Sequence, residues 1–534
     1  MNTRMRSRLR FALVVSSAGL LGLPAYAAGP SVTRDARHDL SAPLGQLAAQ
    51  APELKGLHQG QAPIARGTGP AITSSKADPV AAQPSAALTG VTPVISFAGQ
   101  SAQDNRNVLG FAFVPPDTNG AAGARQYVQM VNMTIAVYDK ATGALELGPA
   151  AIHSIWSGFG GPCENAGDGG DPVVMYDRIA GRWFISQLQF NSDFSSNQEC
   201  VAVSATSDAT GSYHRYEFDF GNQFPDYPKF GVWPDAYYSS QNVFGPGNGN
   251  TFLGARACAL DRAAMLSGAP AAMICFQTST ASLLPSHLDG GTLPPTGAPN
   301  YYASIADSSH LNLFQFHVDF ANPANSTLSG PALVAVAPFS EICAGAIRTA
   351  CIPEPSPGEK VDGLGDRLMF RLAYRNFGDH ESLVVNHTVA GGALGGVRWY
   401  EIRSPGAGPF VFQQGTVVDP DNSFWMGSIA MDNAGDIALG FSASSRSLDP
   451  SIYLVGHGAG DPLGTMNGPN VLVNGTGVQV QSFKRWGDYS AMNLDPTDDC
   501  TFWYTQEYYV TTGSFNWSTN VSAFKFDACK AQRH

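Results

Sequence analysis

The chain changes character near Thr92. From there almost to the end, strand-length runs of apolar or alternating residues are separated by clusters of Gly, Pro, Asn and Asp. That is the pattern of short β-strands joined by turns. Helical periodicity is nearly absent, and "CALDRAAMLSGAP" is the best short candidate. About 440 residues of continuous β pattern are too many for a simple sandwich and point to a repeated sheet unit.

The strands that open each unit can be aligned. They are "PPDTNGAAGARQYVQMVN" from Pro115, "GDPVVMYDRIAGRWFISQ" from Gly170, "YPKFGVWPDAYYSSQ" from Tyr227 and "APNYYASIADSSHLNLFQF" from Ala298. "GDRLMFRLAYRNFGDHESLVVNH" from Gly365, "WMGSIAMDNAGDIALGFS" from Trp425 and "WGDYSAMNLDPTDDCTFWYTQ" from Trp486 follow. Each begins with a strand of small and apolar residues, turns, and continues into a bulkier strand. Their spacing of roughly sixty residues suits four short strands with loops, so the expected fold is all-β, a β-propeller of seven four-stranded blades. Six or eight blades stay open, because the fourth opening is the weakest match. The last unit lacks an evident fourth strand, and "TPVISFAG" ahead of the first unit is expected to supply it and close the ring.

Before Thr92 the chain reads differently. Residues 1–28 carry Arg4, Arg6, Arg8 and Arg10, an apolar run from Phe11 to Leu23, and Ala25-Tyr26-Ala27. This is the order of a secretory signal peptide cleaved near Ala27, and the run is too short to span a bilayer. An exported protein, extracellular or periplasmic and without a membrane span, is expected. Residues 29–91 are rich in Ala, Pro and Gly without a sustained period and read as a disordered leader; residues 92–534 are the propeller domain. The net charge is −12 although the expected signal carries four cations, so nucleic acid is an unfavoured partner. Eight cysteines in an exported chain imply disulfides. Sequential pairing is expected: Cys163 with Cys200, Cys258 with Cys275, Cys343 with Cys351, and Cys500 with Cys529.

The motifs "PPDTNG", "GDPVVMYD", "YPKFGVWPDAYY", "GDHESLVVNHTV" and "RWGDYSAMNLDPTDDCTFWY" recur in order over Pro115 to Cys529. In them the chain resembles a group of secreted bacterial proteins. The resemblance implies export and kinship, and it supplies no catalytic residues to carry over.

In a propeller the residues ahead of the innermost strands converge at one end of the axis. Here they are Asp117, Asp171, Lys229, Asp366, Arg367, Arg485 and Asp488. Asp117, Asp171, Asp366 and Asp488 could pair as general acid and base on a glycosidic bond. They could instead hold Ca2+, a cofactor that the sequence leaves open. In a polysaccharide elimination, Arg485 or Arg367 would neutralise a uronate while Tyr489 or His380 moves the proton. Lys229, Arg367 and His380 are the candidate binding residues. Against all three chemistries stands a plain alternative, in which Gly-Asp caps the turn at a strand entrance.

Other motifs read as structure. In "DHESLVVNH" strand alternation puts His387 on the apolar face of Leu383 and Val385. The glycines of "NAGDGGDP" permit a tight turn, and "YDRIAGRW" and "MDNAGDI" are hairpin turns between the first and second strands of their units. Overall the expectation is a monomer that binds a small molecule or extracellular glycan at the axial face; the alternative is a polysaccharide-cleaving hydrolase or lyase.

Overall fold

The computed structural model describes residues 29–50, 60–61, 71–165, 167–246, 251–344, 350–480 and 484–530. The expected signal peptide lies outside them. Successive four-stranded antiparallel runs make up the molecule. The first comprises Asn119–Ala122, Gln126–Val131, Thr134–Asp139 and Leu145–Ala151, and the second Gly167–Asp177, Arg182–Phe190, Asn197–Ser204 and Tyr213–Gly221. The third runs from Phe224–Val232 to Ala272–Gln277, the fourth from Leu284–Leu288 to Thr327–Ala335, and the fifth from Met369–Asn376 to Phe410–Val417. The sixth runs from Ser423–Met431 to Asn467–Val473. The fourth and fifth merge into one nine-stranded sheet, because Ser286–Leu288 pairs in parallel with Leu372–Tyr374.

The last run has three strands of its own, Ala491–Leu494, Thr501–Tyr509 and Trp517–Phe526. Its fourth is Val91–Ser101, which contains "TPVISFAG" and lies antiparallel on Trp517–Phe526. The two ends of the β region therefore share a sheet. First strands of successive runs touch in cyclic order, and Ala491–Leu494 returns to Asn119–Ala122.

Strand alternation explains how the runs stack. On Arg182–Phe190, Trp183 and Ile185 face the first run, where Val128, Ile135 and Trp156 lie, whereas Phe184 packs toward Phe230 and Tyr237 of the third. Both faces of a strand are thus apolar and buried, which is why these strands read as continuous hydrophobic runs. The last interface is of the same kind: Tyr127 and Tyr138 meet Trp503, Val521 and Ala523. All four expected disulfides form.

Two expectations need correction. "APNYYASIAD" is not the first strand of its run: Asn300–Asp307 is second, behind the short Leu284–Leu288. An eleven-residue loop, 289–299, replaces the tight hairpin of other runs and hid that opening from the alignment. The leader is also not disordered where it is described. Ser31–Arg34 pairs with Ala272–Cys275 on the outer edge of the third run, and Arg37–Leu40 with Glu217–His214 on that of the second. Asp39 accepts two hydrogen bonds from Arg215, at 2.8 and 2.5 Å. Farther on, Ala81–Ala82 lies along Thr416–Val417, and Leu88 packs with Leu454 and Phe526. Such a segment has no core of its own; it gains order by completing the edges of other sheets.

Gln129 fastens the closing strand. Its Oε1 accepts from the Gln100 N–H at 2.7 Å, and its Nε2 donates to Thr505 and Thr519 at 2.8 and 2.9 Å, all buried. Gln129→Leu keeps the volume and removes these bonds. Losing the acceptor of the buried Gln100 N–H and the donor to both threonine oxygens costs about 3 kcal/mol, which denaturant unfolding of the variant will register as a lower midpoint.

Candidate functional site

What positions the axial residues is a bulge where the first strands begin. Ladder register shifts between Gly170 and Val173, between Asp226 and Lys229, and between Trp425 and Ser428. Within these bulges Asp171, Tyr227 and Met426 take φ of 49°, 56° and 52°, and Asp117 has 47° just ahead of its strand. A bulge leaves backbone groups unpaired and redirects side chains. The freed N–H groups find side chains on a neighbouring run. Asp171 donates to Asn132 Oδ1 at 3.0 Å, Ser282 to Asn242 Oδ1 at 2.7 Å, and Met426 to Thr388 Oγ1 at 3.1 Å.

Two aspartates take part in this linkage. Asp171 Oδ2 accepts from the Tyr227 N–H at 3.2 Å, and Asp117 Oδ1 from the Asp488 N–H at 2.7 Å. Asp117 Oδ2 also accepts from Asn132 Nδ2 at 2.8 Å. Asp488 accepts from Arg485 at 2.9 Å, and Arg485 lies 3.8 Å from Asp362. Lys229 Nζ donates to the Pro228 carbonyl at 2.8 Å and sits 3.6 Å from the Tyr227 ring centre and 3.9 Å from that of Tyr489. Tyr489 donates its hydroxyl to the Pro172 carbonyl at 3.1 Å. Arg367 lies over the other side of the group, 4.6 Å from the Tyr227 ring and paired with Asp366 at 2.8 Å.

The structure therefore brings Asp117, Asp171, Lys229, Arg367, Arg485, Asp488 and Tyr489 together. None is more than 1% exposed; Asp366, whose side chain is 27% exposed, stands at the rim. His380 is elsewhere, in the turn after Met369–Asn376, at the opposite end of that strand from Asp366. It stacks on Phe377 and bonds Asp379 at 2.7 Å. His387 is a core residue, bonded to the Tyr400 hydroxyl at 2.9 Å and set against Phe339.

Burial dominates the electrostatics. It pushes the Asp117 carboxyl well above the carboxylate range, aided by the charges of Asp488 and Asp171, and raises Asp171 against the pull of Lys229. The Lys229 ammonium is lowered to about 8 by burial, opposed by Asp171. Two further acids belong to this neighbourhood. Glu199 is raised by burial, with the Asp171 charge adding to it, and Glu507 is likewise raised by burial while accepting from the Gly487 N–H at 2.8 Å. The signal for both was a carboxylate inside an otherwise apolar strand, in "NQECVAVS" and "TFWYTQEYY".

Segments 350–368, 474–480 and 484–490 cover this end of the axis. Trp486 donates its N–H to Asp362 at 3.0 Å, Glu359 donates to the Gln479 carbonyl at 2.9 Å, and Gln479 donates to Glu354 at 3.0 Å. Ile352, Val361, Leu364, Trp425 and Trp486 form one apolar cluster beneath them. Among the described residues no three His, Cys, Asp or Glu side chains are placed to hold a metal ion, and no helix is long and apolar enough to cross a membrane.

No family model matches the chain, and no curated protein matches it. Solved structures similar to it include an alpha-L-arabinanase of Penicillium chrysogenum, at 9% identity and TM-score 0.37, covering 82% of this chain and 99% of that one. An exo-beta-1,3-galactanase from Clostridium thermocellum has 11% identity and TM-score 0.29, covering 79% and 88%. A Trypanosoma rangeli sialidase has 9% identity and TM-score 0.29, covering 66% and 54%. At these scores the likenesses carry no argument, and the fold rests on the chain's own sheets.

Lys229 is the cation whose charge acts most strongly on Asp171, so Lys229→Met leaves that carboxyl without its main compensating charge. It will lower stability by about 3 kcal/mol at pH 7, and by less as the pH falls and the raised Asp171 carboxyl takes up its proton; unfolding at neutral and acidic pH measures the difference. Glu354 gives a second test. Burial raises it from 4.5 to about 8, so the folded chain keeps a proton that the unfolded chain releases. Its contribution to stability is full below its unfolded value and is lost as pH rises through 8. Glu354→Gln, which holds the neutral form, will gain about 2 kcal/mol on wild type between pH 5 and 9, read from paired unfolding curves.

Proposed function

We propose that the chain is an exported, seven-bladed β-propeller that binds an extracellular glycan, and that its axial carboxylates fasten the blades rather than cleave a sugar bond. The cyclic order of the runs supports a count of seven blades, with the leader adding outer strands to the second and third. Four disulfides and the signal-like N-terminal sequence support export.

One observation carries the choice of binding over catalysis. Asp117 and Asp171 accept backbone N–H groups of neighbouring blades and are shut off from solvent. A general acid must reach the leaving oxygen, within hydrogen-bond distance or through one water. These carboxyls, beneath 350–368, 474–480 and 484–490, reach no polymer.

Purified mature protein should be tested on a panel of polysaccharides by affinity electrophoresis, with reducing ends and unsaturated products assayed in parallel. The expected result is retention by at least one glycan and no product. Asp171→Asn and Asp488→Asn are expected to lower thermal stability while leaving retention intact. Product formation by wild type that disappears in either folded variant overturns the reading and makes the protein a hydrolase or lyase.

A further inference from the structure

The outer edges of the sheets are finished in two different ways. Among the described residues no strand pairs with the outer side of Leu145–Ala151, Thr327–Ala335, Asn467–Val473 or Val91–Ser101, the outermost strands of the first, fourth, sixth and last runs. Each of these carries a proline, Pro149, Pro331, Pro469 and Pro93, at or beside a break in its register. Proline has no N–H to offer an incoming strand, and a bulge bends the edge, so each is a poor template for another chain. The other three outermost strands of the runs, Tyr213–Gly221, Ala272–Gln277 and Phe410–Val417, contain no proline. They are the three on which the leader lays a strand. An outer edge is therefore either broken at a proline or covered by the leader.

On the second run the covered edge has a charge order of its own. In "YHRYEF", Arg215 and Glu217 flank Tyr216. The leader meets them in antiparallel register: Arg37 lies opposite Glu217, His38 opposite Tyr216, and Asp39 opposite Arg215. Asp39 accepts from Arg215 at 2.8 and 2.5 Å, and the His38 ring stacks on Tyr216 with centres 5.8 Å apart. Burial raises the Glu217 carboxyl, and the Arg37 charge opposes that rise. The leader's Arg-His-Asp thus repeats the cation, ring, anion order of the Arg-Tyr-Glu that it covers. Laid antiparallel, that order is complementary to itself. A second copy of the edge, turned about a twofold axis through Tyr216, would set its Glu217 against Arg215 and its Arg215 against Glu217, as Asp39 and Arg37 are set now. Opposite charges across an antiparallel pair favour the register, and a self-complementary patch is what a twofold dimer needs.

We propose that the outer edge of the second run, Tyr213–Gly221, is an interaction surface for a second copy of this chain, and that Arg37–Leu40 masks it by presenting the same charge order from within the chain. The edge keeps continuous register with Gln198–Ser204 from Asp219 to Tyr213, so its outward backbone groups form an unbroken ladder. The leader strand competes for that ladder from the same chain, at the high effective concentration of a tethered segment, and the covered protein stays a monomer. Displacing the strand bares a proline-free edge whose charges match those of its own copy.

The test is sedimentation velocity of the mature protein over a range of concentrations. Wild type is expected to be monomeric throughout. Arg37→Glu combined with Asp39→Arg sets like charges against Glu217 and Arg215, displaces the leader strand, and should give a dimer whose share rises with concentration. Asp39→Pro removes a backbone N–H and the carboxylate together; it is a second route to the bare edge and should do the same. A synthetic peptide of residues 29–42 should return the variants to monomer, and a peptide of the same composition in scrambled order should not. A wild type that dimerises with its leader strand in place overturns the proposal, as do folded variants that stay monomeric at every concentration. Association that the peptide does not reverse, or that runs on past the dimer, puts the contact elsewhere and overturns it too. Failure of both variants to fold makes the leader strand a brace of the fold and overturns its masking role.

Discussion

The ring depends on how the first strands satisfy their backbone at the point where they begin. A bulge there turns a side chain toward the axis but takes an N–H group out of the ladder, and a buried N–H without an acceptor is costly. The solution recurs: a side chain on a neighbouring sheet accepts the bond, Asn132 from the Asp171 N–H, Asn242 from that of Ser282 and Thr388 from that of Met426. Between the last sheet and the first the acceptor is Asp117 and the donor Asp488, 371 residues away. No sheet can move without stripping its neighbour of a partner, so the sheets are held in register as a set.

That role explains why so many charges tolerate burial. A carboxylate that accepts a backbone N–H is worth more to the fold than a neutral acceptor, and the neighbouring Lys229, Arg485 and Arg367 balance part of the charge. What the cations do not balance is relieved by protonation, since burial lifts Asp117, Glu199 and Glu507. The same features that look catalytic in a list of residues, acids beside arginines and a tyrosine, are those of a sealed polar hub.

The leader shows where composition misleads. Residues 29–91 lack the apolar surface to fold alone, and that much follows from the sequence. Yet Ser31–Arg34 and Arg37–Leu40 need no core, because the outer edges of two sheets offer them a ladder. One stretch spans both edges and staples the two sheets. Edge pairing depends on backbone groups, which every residue carries, so it leaves little trace in residue type.

The sequence by itself determined the strand class, most of the repeated units and the closing strand "TPVISFAG". Each depends on local periodicity or on partners close along the chain. It also named most of the axial group, because the position before a first strand is set by the repeat. It missed Glu199 and Glu507, which reach the group from the third strand of one run and the second of another, and it misplaced His380, which a strand's length carries to the far end. Tertiary structure alone decided whether those carboxyls meet solvent. Exposure depends on segments 350–368, 474–480 and 484–490 folding over the axis, and no spacing within the repeat records that.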